Sequence, residues 1–158
     1  MRHAEAQSPL AAANDFDRVL TEKGISDASK ASQFLFESEL SIDQLIYSSA
    51  ARTTTTAQLI GELNKMDAPD MEANEQLYNA PVGTVLDLIL RLNNDWETVM
   101  LVGHNPTFSY LAEYLTDHSP INLLPSHLVS IQFEVESWTM LTQGLGRLEW
   151  IHSGSATA

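Results

Sequence analysis

Apolar residues recur along the chain with two spacings, one typical of amphipathic helices and one typical of strands. Helical spacing predicts four helices: one behind Thr21 that buries Ile25 and Leu35, one over 50–64, one behind Pro81 and one over 108–115. Short apolar runs predict buried strands at 45–47 and 99–102, alternation predicts a strand with one wet face at 129–135, and a final strand follows at 147–152. Segments 7–17 and 67–74 are polar and are predicted to be irregular.

The order of these elements favours an α/β fold, because helices and strands alternate along most of the chain. We predict a single three-layer domain in which helices flank a mostly parallel central sheet. The domain is expected to span residues 1–153, followed by a short tail over 154–158. A chain of 158 residues is long enough to bury a substantial core.

Charge and composition narrow the classes of function. The net charge of −13 argues against a nucleic-acid surface, because phosphate backbones favour clustered Lys and Arg. The absence of cysteine excludes a thiolate nucleophile, a disulfide framework and a Cys-ligated zinc. No apolar run approaches the roughly 18 residues of a membrane span, and no signal peptide is evident, so we predict a cytoplasmic protein with no membrane partner.

Basic and imidazole side chains stand at the places where a phosphate pocket would need them. Arg52 comes shortly after the first predicted strand and His104 directly after the second, and Arg2-His3 opens the chain. In α/β folds, ligands bind at the carboxyl ends of parallel strands. Guanidinium groups pair with phosphate oxygens, and a neutral imidazole is a competent nucleophile. These residue types therefore favour a phosphoryl-binding site.

Five segments together resemble the motifs of the histidine phosphatase superfamily, and in particular its SixA-type phosphohistidine phosphatase branch. They are Arg2-His3-Ala4-Glu5-Ala6, the stretch 17–24 around Arg18, the stretch 48–57 around Arg52, Leu77-Tyr78-Asn79-Ala80, and Val102-Gly103-His104-Asn105-Pro106. Each motif alone is weak, but all five occur in the family's order. Ala4 departs from the glycine that is commoner in the family at this position.

The resemblance implies a phosphoglycerate mutase-like fold and a role for each matching residue. His3 would attack phosphorus and carry a transient phosphohistidine, while Arg2, Arg52 and His104 would surround the phosphoryl oxygens. Arg18 would close the same pocket. No metal or other cofactor is expected. In this family a strand precedes the Arg-His motif, so we expect the first strand of the sheet to be missing here.

The resemblance leaves the proton donor and the substrate open. Glu75 is the nearest candidate for an acid that protonates the leaving group. A phosphohistidine substrate would lessen the need for that acid, because imidazole is a better leaving group than an alkoxide. The leading expectation is a phosphatase for phosphorylated proteins in signal transduction. The alternatives are a small-metabolite phosphomonoesterase and a non-catalytic module that binds phosphate or phosphohistidine.

Overall fold

A computed structural model describes residues 1–154 of the chain. Residues 155–158, which form most of the predicted tail, lie outside the described residues. The elements are α1 (Glu22–Glu37), β1 (Gln44–Ser48), α2 (Ala51–Leu63), β2 (Met71–Asn74), α3 (Val82–Ile89), β3 (Val99–Val102), α4 (Thr107–Thr116), β4 (Leu128–Gln132) and β5 (Arg147–His152). Within 1–154, no helix has both the length and the apolar character that crossing a membrane requires.

The central sheet is parallel, and its strand order is β2-β1-β3. Leu45 of β1 lies opposite Met71 of β2 on one side and Met100 of β3 on the other. The remaining two strands, β4 and β5, form a separate antiparallel pair. Helices flank the parallel sheet, which confirms the predicted α/β class.

Alternation along β1 sends its side chains into two separate cores, because successive residues of a strand point to opposite faces. Leu45 packs in a cluster with Leu35 of α1 and Ile60 of α2. Ile46 packs in a second cluster, whose members include Val85 of α3 and Phe108 of α4. The central strand is thus covered by α1 and α2 on one face and by α3 and α4 on the other.

Several details differ from the predicted elements. The segment predicted to be irregular, 67–74, contains β2, an edge strand that has no alternating apolar pattern and is held by its pairing with β1. The strand predicted over 129–135 ends at Gln132. Ile25 and Leu63, both assigned to helix faces that meet the core, are 44% and 37% exposed. The buried face of α1 is formed instead by residues that include Ala28, Ala31 and Leu35, and that of α2 by residues that include Ala57 and Ile60.

The first three residues lie between the end of β3 and the segment that leads into β4. On one side, the Gly103 amide donates to the Met1 carbonyl (3.1 Å) and the His3 amide donates to the Gly103 carbonyl (3.0 Å). On the other side, the Arg2 amide donates to His127 (3.1 Å) and the Ser126 amide donates to the His3 carbonyl (3.2 Å). Within 1–154 no strand precedes β1, yet four backbone hydrogen bonds fix the position of His3.

A groove of about 820 Å³ begins at Met1 and is lined by residues of β3, β4 and β5, among them Met100, Leu128 and Trp150. The Met1 ammonium donates a hydrogen bond of 2.7 Å to the Leu101 carbonyl. Burial lowers the pKa of this ammonium to about 5. We call this space the β3–β4 groove.

Candidate active site

The ends of β1 and β3 and the N-terminal segment bring three predicted residues together. Arg52 lies in the first turn of α2 and is buried. Its Nε donates to His3 Nε2 at 3.3 Å, and its Nη2 lies 3.3 Å from His104 Nδ1. The two imidazole rings meet edge to face, with centroids 5.2 Å apart. His3, Arg52 and His104 therefore form one cluster at the carboxyl edge of the parallel sheet.

His3 directs the lone pair of Nε2 at this cluster, where it accepts from Arg52 Nε. Its Nδ1 lies 2.7 Å from the Ala4 carbonyl, an acceptor only, so Nδ1 carries the ring proton and Nε2 does not. Burial, helped by the nearby His104, Arg52 and Arg2, lowers the pKa of His3 to about 3, although the hydrogen bond to the Ala4 carbonyl acts in the opposite direction. The ring is thus neutral at physiological pH, which is the state required of a nucleophile.

His104 is also neutral, and a hydrogen bond to Ser48 orients its ring. Its Nε2 donates to Ser48 Oγ at 2.8 Å, which leaves Nδ1 to face Arg52. Burial, followed by the charge of Arg52, lowers the pKa of His104 to about 4. The ring of Tyr78 packs edge to face on His104, with centroids 5.6 Å apart.

Arg2 contributes a second guanidinium at the same place. Its Nη1 donates to the Leu123 carbonyl at 2.9 Å. Its Nε is buried and has no hydrogen-bond partner among the described residues. The Arg2 charge lowers the pKa of both His3 and His104, so it acts on the cluster directly. Buried donors are nearly always paired in folded proteins, and an anion in the cluster would supply the missing acceptor.

Arg18, by contrast, reaches the cluster only through Asp15. Arg18 Nη1 pairs with Asp15 Oδ1 at 2.7 Å, and Asp15 Oδ2 pairs with Arg52 Nη2 at 2.9 Å. The Tyr78 hydroxyl donates to the same carboxylate at 2.9 Å. Arg18, then the Tyr78 and Arg52 donors, hold the pKa of Asp15 well below its usual range.

Glu75, the candidate proton donor, is exposed and begins a single turn of 3-10 helix over Glu75–Leu77. Among the described contacts, none joins its carboxylate to His3, Arg52 or His104. Its assignment as an acid stays a prediction. No cluster of metal-ligating side chains that could hold an ion is found within 1–154.

Sequence reasoning assigned no role to three residues that shape the site, Asp15, Tyr78 and Thr56, although Tyr78 and Thr56 lie in two of the matching segments. Thr56 is fully buried; its Oγ1 accepts from the Ala4 amide at 3.1 Å and donates to the Arg52 carbonyl at 2.7 Å. One hydroxyl thus ties the residue after His3 to the backbone of Arg52. The spacing of Thr56, four residues after Arg52 on the same helix, was a usable signal.

The chain is similar to known proteins over most of its length. The family model for the histidine phosphatase superfamily (branch 1) matches residues 1–85. The uncharacterized protein Rv1276c of Mycobacterium tuberculosis is 34% identical over 141 residues, which cover 89% of this chain and 85% of that protein.

Solved structures show the same fold. The structure of a candidate phosphohistidine phosphatase SixA from Nakamurella multipartitia matches with a TM-score of 0.82 at 27% identity, covering 99% of this chain and 94% of the other. A protein histidine phosphatase SixA complexed with tungstate matches with a TM-score of 0.83 at 24% identity, covering 98% and 94%. From the family match, the relative and the fold together, this chain belongs to the histidine phosphatase superfamily, branch 1.

Proposed function

We propose that this protein is a metal-independent phosphatase that removes the phosphoryl group from a protein phosphohistidine through a covalent intermediate on His3. The observation that carries the proposal is the unprotonated His3 Nε2, which has Arg52 at 3.3 Å and the His104 ring beside it. A neutral nucleophile among fixed positive donors is the arrangement that phosphoryl transfer needs. The proposal carries with it the expectation of a cytoplasmic role in signalling.

In the first step, the His3 Nε2 lone pair forms a bond to phosphorus while the bond from phosphorus to the substrate nitrogen breaks. The bonding electrons go to that nitrogen. The leaving imidazole departs neutral when its other ring nitrogen already carries a proton. Arg2 and Arg52 stabilise the charge on the phosphoryl oxygens, since guanidinium groups can form paired hydrogen bonds to them.

In the second step, water attacks phosphorus and the bond to His3 Nε2 breaks, returning its electron pair to the ring. His3 keeps the Nδ1 proton that it donates to Ala4 throughout. Both protons of the water leave with inorganic phosphate, which loses one of them to solvent at neutral pH. Each step is therefore balanced without a metal ion and without an acid in contact with the substrate.

The position of Glu75 supports a phosphohistidine over an alkyl phosphate ester. An alkoxide leaving group requires a placed acid, and Glu75 is exposed and makes no described contact with the cluster. The candidate SixA relative from Nakamurella multipartitia is described as a phosphohistidine phosphatase. The metabolite phosphatase and the non-catalytic binding module stay as alternatives that the following experiment separates.

The test is to measure release of phosphate from a phosphohistidine-bearing protein domain and from an aryl phosphate. We expect His3→Ala to abolish turnover of both, and Arg52→Ala to lower kcat/KM by about 100-fold or more, comparable with the loss of one oxyanion donor. Acid-labile phosphate trapped on wild-type His3 would support the intermediate, and a chelator should leave the rate unchanged.

Different outcomes favour the alternatives. Full activity in His3→Ala would rule out the proposed nucleophile. A large loss in Glu75→Gln on a small phosphate ester, with little activity on the phosphorylated domain, would indicate a metabolite phosphatase. Tight vanadate binding without turnover of either substrate would indicate a binding module.

A further inference from the structure

The Asp15 carboxylate already holds the donors that a phosphoryl group would need. It accepts from Arg18 Nη1 at 2.7 Å, from Arg52 Nη2 at 2.9 Å and from the Tyr78 hydroxyl at 2.9 Å. Two guanidinium groups and one hydroxyl make a favourable set of donors for an oxyanion. In the free protein, a side chain of the chain itself thus stands in for the ligand.

Arg52 has little hydrogen-bonding capacity to spare in this state. Of the five N–H groups of a guanidinium, Nε points to His3, Nη1 donates to the Asp15 carbonyl at 2.5 Å, and Nη2 is shared by the Asp15 carboxylate and His104. A phosphoryl group that His3 can attack must take donors from this side chain. It therefore brings a second anion to the guanidinium that Asp15 already neutralises.

The loop that carries Asp15 can move at low cost. Residues 13–17 are exposed, and the Asp15 side chain is 44% exposed, whereas that of Arg52 is 4% exposed. The loop is held by the Asp15 contacts, by the Ala51 amide donating to the Phe16 carbonyl at 3.1 Å, and by the Phe16 ring on Tyr78. Segments with few buried contacts open at small free-energy cost.

We propose that Asp15 is a specificity and product-release residue that competes with the phosphoryl group for Arg52 and Arg18. Its carboxylate neutralises the buried guanidinium in the free protein, yields when a doubly charged phosphoryl group arrives, and returns to expel inorganic phosphate. A singly charged anion binds the guanidinium groups more weakly and therefore does not displace the Asp15 carboxylate. The inference rests on the proposed phosphoryl site around His3, but it requires only anion binding and not turnover.

The direction of one binding change separates this role from a merely structural one. If Asp15 competes, Asp15→Asn must tighten the binding of inorganic phosphate, because the backbone carbonyl still anchors Arg52 Nη1 while the competing charge is gone. If Asp15 only anchors its loop over the site, the same variant must weaken binding. Asp17→Asn is the matched control, since Asp17 lies two residues away, carries the same charge and bonds to Asn14 at 2.7 Å.

The experiment is calorimetric titration of inorganic phosphate into the whole folded chain at neutral pH. We expect Asp15→Asn to lower the Kd about fivefold, a size set by solvent screening of a half-exposed pair, and Asp17→Asn to change it by less than about twofold. Tyr78→Phe, which removes one hydrogen bond from Asp15 but keeps its charge, should give a smaller decrease. In turnover, Asp15→Asn should lower KM and the inhibition constant of phosphate, with no increase in kcat.

An unchanged or higher Kd in both Asp15→Asn and Asp15→Ser would overturn this inference and leave the proposed function standing. Equal tightening in Asp15→Asn and Asp17→Asn would also overturn it, because the cause would then be net charge alone. Failure of every folded variant and of the wild type to bind phosphate would overturn the proposed phosphoryl site itself. Turnover that fails while Asp15→Asn still tightens phosphate would refute the proposed catalysis alone.

Discussion

His3 and His104 enter the cluster as neutral rings, while the arginines carry its positive charge. Burial is the largest cause of the lowered pKa of both rings, because a low dielectric penalises the imidazolium form. The guanidinium of Arg52, 3.3 Å from a nitrogen of each ring, acts in the same direction. The arginines thus supply the positive charge for binding and a histidine supplies the lone pair for attack. Both groups are in the required protonation state at neutral pH.

This division predicts that both rings stay neutral in the free protein until the pH falls well below the ordinary histidine pKa of 6.5. We expect midpoints near 3 for His3 and near 4 for His104 in an NMR titration of ¹⁵N-histidine-labelled protein. The free energy of unfolding should decrease as the pH falls below 6.5, because the two histidines then become protonated in the unfolded chain while they stay neutral in the folded protein. Spectra of His3→Ala and His104→Ala assign the signals, and a midpoint near 6.5 for either ring would contradict the burial argument.

At the scale of elements, the start of α1 clamps the segment that follows His3. The Thr21 amide donates to the Glu5 carbonyl at 3.0 Å, and Thr21 Oγ1 accepts from the Gly24 amide at 3.0 Å as the N-cap of the helix. The backbone of Glu5 therefore runs directly over the first turn of α1. Only a residue without a side chain leaves room for it at Gly24.

This close approach predicts opposite effects for two glycine-to-alanine changes in helices. A methyl group at Gly24 would lie 2.0 Å from the Glu5 carbonyl oxygen, so Gly24→Ala should lower the free energy of unfolding by about 1–3 kcal/mol. At Gly83 of α3, no described atom outside the adjacent residues and the nearby helix backbone lies within 4 Å of an added methyl group, and Gly83→Ala should raise that free energy by about 0.5 kcal/mol. Urea denaturation measures both, and Gly24→Ala should also weaken phosphate binding because the shifted segment carries His3. Equal free energies of unfolding for the two variants would show that the Glu5 segment moves away from the added methyl group at little cost.

At the scale of the molecule, the sequence predicts the helices and strands of the fold better than it predicts the contacts within the site. β1 and β3 are short apolar runs, and their polar ends bring Arg52 and His104 to one edge. The contacts of Asp15 and Tyr78 could not be predicted, because the two residues come from separate loops, 37 and 63 residues away from the partners that they meet. Such contacts leave no periodicity in the chain. β2 escaped prediction for a related reason, since an edge strand is stabilised by its neighbour and needs no apolar pattern of its own.

The β3–β4 groove offers space in which added apolar side chains would be buried. Met1 is one of the residues that line it, and its buried terminal nitrogen makes one described hydrogen bond. The groove is lined largely by apolar side chains. A peptide group in place of the terminal nitrogen would remove a group whose protonated form is disfavoured by burial. An extended segment continuing back from Met1 could pair with β3 and cover these side chains.

We therefore predict that extending the chain before Met1 by a short run of Val and Ile raises the free energy of unfolding. The added side chains would bury apolar surface worth about 1.5–3 kcal/mol each, against about 1–2 kcal/mol per residue for ordering the backbone, so a net gain of about 2 kcal/mol is expected. For a chain of this size that gain raises the thermal midpoint by about 4–8 °C in calorimetry. A Gly-Ser extension of equal length also removes the ammonium at Met1 but brings no apolar side chain to the groove, so it should stabilise the protein much less. Equal midpoints for the two extensions would mean that the groove does not accept a strand.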